Sequence, residues 1–291
     1  MLVRLGTVLF VACALFSLNI ANANEKPRIA VMQAVVSDGV SKSIRRHLRL
    51  DVLHSELERS IQNARKFSVV TRDKSKMSAL MKEQAFSQSA ASRGNAAQSG
   101  QMDAANFLVM TTVKDFVFWR SSKAVPNIDN KYRRKDSGRL KVEVQIQDTS
   151  SGEIKATFDL VDSFASKTKI VNKKGGAPAK INFEKMAKKV AALAADQLVD
   201  TVFPMKVMSV DGRAVFINRG KDGGLKKGDK LVLYSPGAVL IDPDTGENLG
   251  STEREVGLLK VSRVNPKFTI AKIIELDEDE FVESGFIVRR P

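Results

Sequence analysis

The chain contains almost no cysteine, and this scarcity excludes several kinds of chemistry. Its one cysteine, Cys13, lies within an apolar run that extends from Leu5 to about Ile20. The rest of the chain therefore has no means to form a disulfide, supply a thiolate nucleophile or bind a metal through sulfur. A chain of 291 residues without such cross-links must rely on buried apolar cores, and it is long enough for two modest domains.

Aromatic and histidine side chains are also scarce. Phe, Trp and Tyr together make up 6% of the residues, which disfavours binding of single-stranded nucleic acid or sugars by stacking. We expect the two histidines, His47 and His54, to be solvated residues on one helix, because two histidines without a third ligand form a poor metal site. The sequence contains no Gly-x-Ser-x-Gly, His-Glu-x-x-His or phosphate-binding glycine loop. These absences predict a protein that is not an enzyme and has no metal or cofactor.

The N-terminus has the pattern of a secretory signal peptide. A start that contains Arg4 is followed by the apolar run and then by Ala21-Asn22-Ala23. A positive start, a short apolar core and a small-x-small ending predict export and cleavage after Ala23. An uncleaved N-terminal anchor is the alternative. Since apolar residues continue after Cys13, lipid attachment at this cysteine is not expected.

Positive charge is in clear excess. The chain has 47 lysines and arginines against 33 aspartates and glutamates, which gives a formal net charge of +14. In an exported protein, the acidic partners that fit this charge are anionic lipids, lipopolysaccharide, cell-wall polymers or acidic protein surfaces, and not nucleic acid. Charge alone does not distinguish among these partners.

The first half of the chain has the apolar periodicity of an α/β domain with a mixed sheet and flanking helices. Helices are predicted from about Ser41 to Ala64, from an N-cap at Asp73, and from Asn182 to Val202. The predicted strands are 28–36, 67–70, 106–118, 139–147 and 154–161. The turn-forming residues 148–153 predict that the last two strands form a hairpin.

The second half begins at Pro204 and predicts a small all-β, barrel-like domain. Asp211-Gly212 between two short apolar segments is a strong hairpin signal. Strands are predicted at 205–210, 213–218, 230–234, 256–264, 269–275 and 286–289. The predicted organisation is a signal peptide at 1–23, an α/β (α+β) domain at 24–203 and the β domain at 204–291.

Four short sequence segments in the first half resemble a known family. They are Arg28-Ile-Ala-Val-Met, Phe67-Ser-Val-Val-Thr-Arg, Asp103-Ala-Ala-Asn-Phe-Leu-Val-Met and Asp148-Thr-Ser-Ser-Gly-Glu, in this order. Together they are similar to the curli secretion-channel (CsgG-like) family over about residues 26–203. That family also includes an outer-membrane activator of a penicillin-binding protein and the middle domain of flagellar assembly protein T.

The second half resembles the C-terminal domain of flagellar assembly protein T. The resemblance rests on two segments, Val210-Asp-Gly-Arg-Ala-Val-Phe-Ile-Asn and Gly223-Gly-Leu-Lys-Lys-Gly-Asp. We expect the glycines at 223, 224 and 228 to adopt positive φ in barrel turns, and Asp229 to close such a turn. A clear N-terminal domain of flagellar assembly protein T is missing here. The two resemblances imply an envelope protein that interacts with other envelope proteins and assembles into homo-oligomeric rings.

Two basic stretches occupy the positions of the membrane hairpins of the curli channel, at about 118–139 and 162–182. Basic side chains on the lipid face of a membrane strand cost about 2–4 kcal/mol each at mid-bilayer, so we predict that this chain forms no pore. The two stretches are predicted to converge into one cationic docking patch, and the alternative is two solvated, flexible loops. The candidate patch comprises Arg120, Lys123, Lys131, Arg133, Arg134, Lys135, Lys167, Lys169, Lys173 and Lys174.

Two acidic segments have simpler interpretations. Asp242-Pro-Asp-Thr-Gly-Glu lacks the ligand spacing of a calcium loop and is predicted to be a β-turn. The run Glu275-Leu-Asp-Glu-Asp-Glu is expected to be a solvated loop. Alternatively, it pairs with the basic patch of a neighbouring copy in a head-to-tail assembly.

Taken together, the sequence favours a non-enzymatic periplasmic protein, peripheral to the outer membrane, that helps to assemble or stabilise an envelope machine of flagellar or secretion type. The alternative is a periplasmic regulator that activates a peptidoglycan synthase. A third hypothesis, a hydrolase of cell-wall substrates, lacks a nucleophile, a metal set or a carboxylate pair to support it.

Overall fold

The computed structural model of the chain describes residues 25–89, 102–176, 179–244, 246 and 248–291. The predicted signal peptide at 1–23 lies outside these residues. Within the described ranges, no helix combines the length and the apolar character that a membrane crossing requires.

In the part of the first half that the structure describes, seven strands form a mixed sheet and four helices accompany it. The strand order is β3-β1-β4-β5-β6, with β2 beside β4 and β7 beside β5. The strands are β1 Arg28–Val31, β2 Val35–Val36, β3 Ser68–Val70, β4 Phe107–Ala124, β5 Tyr132–Asp148, β6 Ile154–Ala165 and β7 Lys169–Val171. The helices are α1 Lys42–Arg45, α2 Leu50–Asn63, α3 Lys74–Ser87 and α4 Lys180–Val202.

Alternation along the long strands decides which sheet face is covered. In β5, Leu140, Val142, Val144 and Ile146 are all buried, whereas the residues between them are only partly buried. Their side chains belong to one core with the apolar stripes of α2 and α4. The same alternation leaves polar residues of β5 on the opposite face. The predicted hairpin of β5 and β6 is confirmed, and Asp148 accepts a hydrogen bond from the Ser150 amide within its turn, at 2.8 Å.

Two predicted elements are interrupted. The strand expected over 28–36 divides into β1, which lies between β3 and β4, and β2, which pairs with a later part of β4. The helix expected over 41–64 divides into α1 and α2. The Arg45 guanidinium donates hydrogen bonds to the carbonyls of Val40 and Ser37, which fixes the segment before α2 in a separate turn. The N-cap at Asp73 is confirmed, since its carboxylate accepts from the amides of Ser75 and Lys76.

The second half of the chain forms a closed, antiparallel six-stranded barrel, which confirms the predicted fold class. Neighbouring strands follow the order β10-β11-β12-β9-β8-β13. Its elements are β8 Met205–Asp211, β9 Ala214–Ile217, a 3₁₀ turn at Lys221–Gly223, β10 Lys230–Ile241, β11 Asn248–Val264, β12 Thr269–Leu276 and β13 Ile287–Arg289. The domain boundary at 203–204 stays a prediction, although every strand of the sheet precedes it and every strand of the barrel follows it.

The barrel contacts the C-terminal end of α4 through an ion pair whose guanidinium group is buried. Arg219 is 1% exposed and donates to the Asp200 carboxylate at 2.9 Å and to the Phe203 carbonyl. Arg290 pairs with the same carboxylate from the last residues of the chain. Burial raises the pKa of Asp200, against the opposing effect of the two guanidinium groups.

Glycines next to this junction allow the close approach. Gly224 adopts a φ of +73° beside the Asp196 carboxylate of α4, where a side chain would overlap the carboxylate oxygens. Positive φ is confirmed at Gly224 and Gly228, but the expectation is wrong for Gly223. That residue lies in the 3₁₀ turn and is needed because a Cβ there would overlap the Arg219 side chain. Asp229 closes its turn as predicted, by accepting from the Lys226 amide at 2.8 Å.

Candidate cationic interface

The first basic stretch is mostly β-strand. Strands β4 and β5 continue as an antiparallel ladder to the pair Ala124 and Tyr132, and residues 125–131 connect them. The expectation of a flexible loop there is wrong because the charged side chains alternate outwards while the backbone groups pair across the ladder. The second stretch contributes β7, whose Ile170 and Lys169 pair with Arg133 and Arg134 of β5.

We call residues 119–136 and 167–176 together the tongue. All ten candidate patch residues fall within it, and the pairing of β5 with β7 brings the two basic stretches side by side. The tongue contains ten basic residues and only two acidic ones, Asp129 and Asp136, which gives it a net charge of +8. More than half of the formal net charge of the chain is therefore concentrated in this one projection of the sheet.

Asp136 holds the base of the tongue together. Asp136 is 8% exposed, and its carboxylate accepts hydrogen bonds from the Nε atom of Arg120 at 2.7 Å and from the Nη2 atom of Arg120 at 2.9 Å. Its backbone exchanges hydrogen bonds with Ser166, which attaches the segment that leads into β7. The hydrogen bonds from Arg120 lower the pKa of Asp136, and Arg134 and Lys169 act in the same direction.

The ten basic residues therefore divide into two groups. In the first group, Arg120 is bound by Asp136, donates to the Gly176 carbonyl and lies over the Phe118 ring at 5.3 Å. Its guanidinium group therefore stabilises the fold of the tongue. Arg134 and Lys131 are partly buried, and Lys131 donates to Asn172 at 2.7 Å. The other seven side chains are exposed and available to a partner; they are Lys123, Arg133, Lys135, Lys167, Lys169, Lys173 and Lys174.

One face of the tongue combines exposed cations with exposed apolar groups. Lys123 and Ile170 both lie opposite Arg133, and Lys135 and Trp119 alternate onto the same face. Trp119 is 49% exposed and Ile170 is 65% exposed. This face continues the uncovered face of the sheet, so no helix among the described elements packs on it. A cationic surface with an aromatic anchor suits a partner that offers both negative charge and an apolar side chain.

Sequence reasoning did not identify Asp136, Trp119 or Ile170 as parts of this surface. The signal that locates them is the register between β4, β5 and β7, because it decides which residues lie opposite each other. The sequence signal that could have located this surface is the presence of the apolar residues Trp119 and Ile170 within strongly charged segments.

The histidines are not placed as expected. His47 lies in the turn after α1, and His54 is on α2, so they do not share a helix. His54 is buried, with Nδ1 at 3.3 Å from the Met32 carbonyl and Nε2 at 3.4 Å from the Glu58 carboxylate. The apolar stripe of α2 carries His54 into the core beside Leu53 and Leu57, so the expectation of a solvated surface position is wrong for it. Among the described residues, no group of three His, Cys, Asp or Glu side chains is placed to hold a metal ion.

The acidic run belongs to the far end of the barrel. Strand β12 extends to Leu276, and residues 277–283 form what we call the acidic loop, with five acidic residues and no basic one. Arg254 pairs with Asp277 and Glu280 and compacts the loop. Phe281, within this loop, is 82% exposed. Of the turn predicted at 242–247, residues 245 and 247 lie outside the described residues; between β10 and β11, Gly246 donates to the Asp242 carbonyl at 2.9 Å.

One family model matches part of the barrel. Residues 212–282 match the family model described as flagellar assembly protein T, C-terminal domain. This match covers most of the closed barrel. It includes strand β9, which follows the Asp211-Gly212 turn, and strands β10 to β12. The predicted resemblance of the second half to that domain is confirmed. No curated protein matches the chain in sequence.

Several solved structures show distant similarity. A DUF330-family protein of Xanthomonas campestris has 9% identity and a TM-score of 0.33, over 62% of this chain and 90% of its own. A putative neuraminyllactose-binding hemagglutinin homolog of Helicobacter pylori has 9% identity and a TM-score of 0.31, over 62% and 85%. A minor lipoprotein of Acinetobacter baumannii has 11% identity and a TM-score of 0.27, over 60% and 91%. Similarity at this level carries no functional argument.

Proposed function

We propose that this chain is a non-enzymatic periplasmic protein that helps to assemble or stabilise an outer-membrane-associated machine, and that the exposed side of the tongue is its docking surface. The observation that carries the proposal is the match of the barrel to the C-terminal domain of flagellar assembly protein T. The name of that family describes assembly of an envelope machine, and the proposal extends this role to the present chain. The signal-peptide pattern of residues 1–23 supports export.

The first half of the chain completes the proposal. Its sequence words resemble the CsgG-like family, and we propose that it is a domain of this type that lacks the pore-forming function. Tongue residues such as Lys123, Arg133 and Lys135 are exposed on a paired β-hairpin. The tongue has ten basic residues but only two acidic ones, and one of the two, Asp136, is buried. The positive charge of its surface is therefore largely uncompensated within the tongue. A rigid, uncompensated cationic surface attracts an anionic partner and orients it during encounter.

A cellular experiment tests this function. The tongue variant replaces four exposed cations by glutamine, and the matched control replaces four exposed barrel lysines in the same way. The tongue variant is Lys123→Gln, Arg133→Gln, Lys135→Gln and Lys169→Gln, and the control is Lys226→Gln, Lys227→Gln, Lys260→Gln and Lys267→Gln. We expect wild type and control to fractionate with the envelope in a salt-dependent way, and the tongue variant to be released at low salt.

Crosslinking followed by pull-down identifies the machine. Flagellar or secretion components among the captured proteins support the proposal, whereas a peptidoglycan synthase supports the alternative role as a regulator. Identical fractionation of the tongue variant and its control refutes the tongue as the docking surface. Recovery of the intact chain from the cytosol, with residues 1–23 attached, refutes the periplasmic location.

A further inference from the structure

The molecule is electrically polarised along its length. The tongue carries a net charge of +8, whereas the acidic loop carries five acidic residues and no basic one. Arg254 compensates two of them within the chain, through Asp277 and Glu280. Glu278, Asp279 and Glu283 are exposed. Each end therefore has an excess of charge of the sign that the other end attracts.

The root of the tongue and the barrel are attached to opposite ends of α4. The tongue begins next to the N-terminal part of α4, where Phe116 of β4 packs on Phe183 with ring centroids 5.5 Å apart. The barrel is held at the other end of this 23-residue helix by Arg219 and Asp200. A helix of this length spans about 35 Å.

The acidic loop follows strand β12, which begins near this junction. Strand β12 begins at Thr269, whose hydroxyl donates to the Arg219 carbonyl at 2.6 Å beside the junction with α4. The strand then runs for eight residues, or about 26 Å, before the acidic loop begins. The loop is therefore separated from the junction with α4 by the length of β12.

The two surfaces also match in their apolar groups. Phe281 is 82% exposed within the acidic loop and is therefore accessible to a partner surface. On the tongue, Trp119 and Ile170 are exposed on the same face as Lys123, Arg133 and Lys135. An aromatic side chain among carboxylates thus complements a face on which exposed apolar groups lie among cations.

We propose that the tongue of one copy binds the acidic loop of a second copy, head to tail, with Phe281 docked on the face of the tongue that carries Trp119 and Ile170. This inference rests on the proposed docking role of the tongue and names its partner. A heterologous contact of this kind leaves one free tongue and one free loop on every dimer, so association continues unless the copies close into a ring. The contact is strongest at low ionic strength because its outer part consists of exposed charges.

Light scattering of the purified full chain tests the proposal. At about 50 mM salt, we expect wild type to form concentration-dependent species larger than a dimer, which dissociate at about 500 mM salt. The loop variant is Glu278→Gln, Asp279→Asn and Phe281→Ser. Its control, Asp211→Asn, Asp244→Asn and Ile241→Ser, removes two exposed charges and one exposed apolar group elsewhere on the barrel.

Mixing the variants tests the head-to-tail geometry. The loop variant and the tongue variant defined above should each weaken self-association by about a hundredfold, whereas the two controls should assemble like wild type. A one-to-one mixture of the loop and tongue variants retains one intact tongue and one intact loop. It should form heterodimers and nothing larger, because both remaining ends are disabled. Circular dichroism identifies any variant that fails to fold, and the mixture is then repeated with Phe281→Ser alone.

Several outcomes overturn the proposal. Wild type that is monomeric at about 100 µM, variants that associate like wild type, or a mixture that stays monomeric each refute it. Binding of wild type to vesicles containing an anionic phospholipid, lost only in the tongue variant and without self-association, assigns the tongue to a membrane instead. The fractionation experiment above remains independent of these results, since envelope association through another partner survives a failure of self-association.

Discussion

Replacement of Asp136 by asparagine should loosen the base of the tongue. Asp136 accepts two hydrogen bonds from Arg120, at 2.7 and 2.9 Å, and is 8% exposed. Loss of one partner of a fully buried ion pair costs about 3–5 kcal/mol. Because Arg120 is also bonded to the Gly176 carbonyl and lies at the edge of the fold, we expect the lower value that is typical of charged hydrogen bonds, about 2 kcal/mol.

The only tryptophan of the chain provides the assay. Trp119 precedes Arg120 and lies opposite Ser137, so its fluorescence reports the separation of β4 from β5 at this position. Urea unfolding followed by Trp119 emission should give a lower midpoint for Asp136→Asn than for wild type. The control is Asp129→Asn, which removes an exposed carboxylate from the hairpin tip.

The pH dependence provides a second check on Asp136. Its folded-state pKa is lowered, so its stabilising contribution is present above the ordinary carboxyl pKa of about 3.9 and is lost as the pH falls through the folded-state value. The difference between wild type and Asp136→Asn should therefore shrink in strong acid. Equal urea midpoints for Asp136→Asn and Asp129→Asn at neutral pH would refute the assignment of Asp136 as the anchor of the tongue.

The junction of the barrel with α4 supports three further predictions. Arg219→Met should reduce the free energy of unfolding by about 3 kcal/mol, measured by urea titration with circular dichroism. Its effect should not add to that of Asp200→Asn, because both variants break the same ion pair. Additive effects, or a loss equal to that of the control variant Arg263→Met at an exposed position, would contradict the ion pair between Arg219 and Asp200. Gly224→Ala should raise the rate of proteolysis between α4 and the barrel, because a Cβ at φ +73° meets the Asp196 carboxylate; unchanged proteolysis argues against the close packing. Burial raises the pKa of Asp196, so this residue contributes stability that is complete below the ordinary carboxyl pKa and is lost as the pH rises through the folded-state value. Urea midpoints at about pH 4.5 and 7.5 should therefore fall more steeply with pH for wild type than for Asp196→Asn, and parallel curves would contradict this sign.

The elements that the sequence predicts well are those with a local cause. The helix cap at Asp73, the hairpin at Asp211-Gly212 and the turn closed by Asp229 each depend on a side chain or glycine within a few residues. Strict alternation from Leu140 to Ile146 likewise shows which side of β5 is buried, because every second residue points to the same face.

The elements that the sequence predicts poorly depend on distant contacts. Residues 120–124 and 132–139 are strongly charged and resemble loops, yet a ladder of backbone hydrogen bonds makes them strands. The break between β1 and β2 follows from a change of pairing along β4, which no local pattern signals. The composition of the candidate surface was predictable, but its geometry was not, because the burial of Asp136 and the exposure of Trp119 both follow from the strand register.

Helix α4 determines how mechanical load passes through this molecule. One end of the helix packs beneath the root of the β4–β5 hairpin, and the other is joined to the barrel by guanidinium groups. A pull on the hairpin tip acts along β5, whose ladder with β6 extends from Ser137 to Gln147. Tension in that direction strains the hydrogen bonds of the ladder in parallel and not one after another. The β5–β6 ladder is therefore the part of the sheet that resists a pull applied at the hairpin tip.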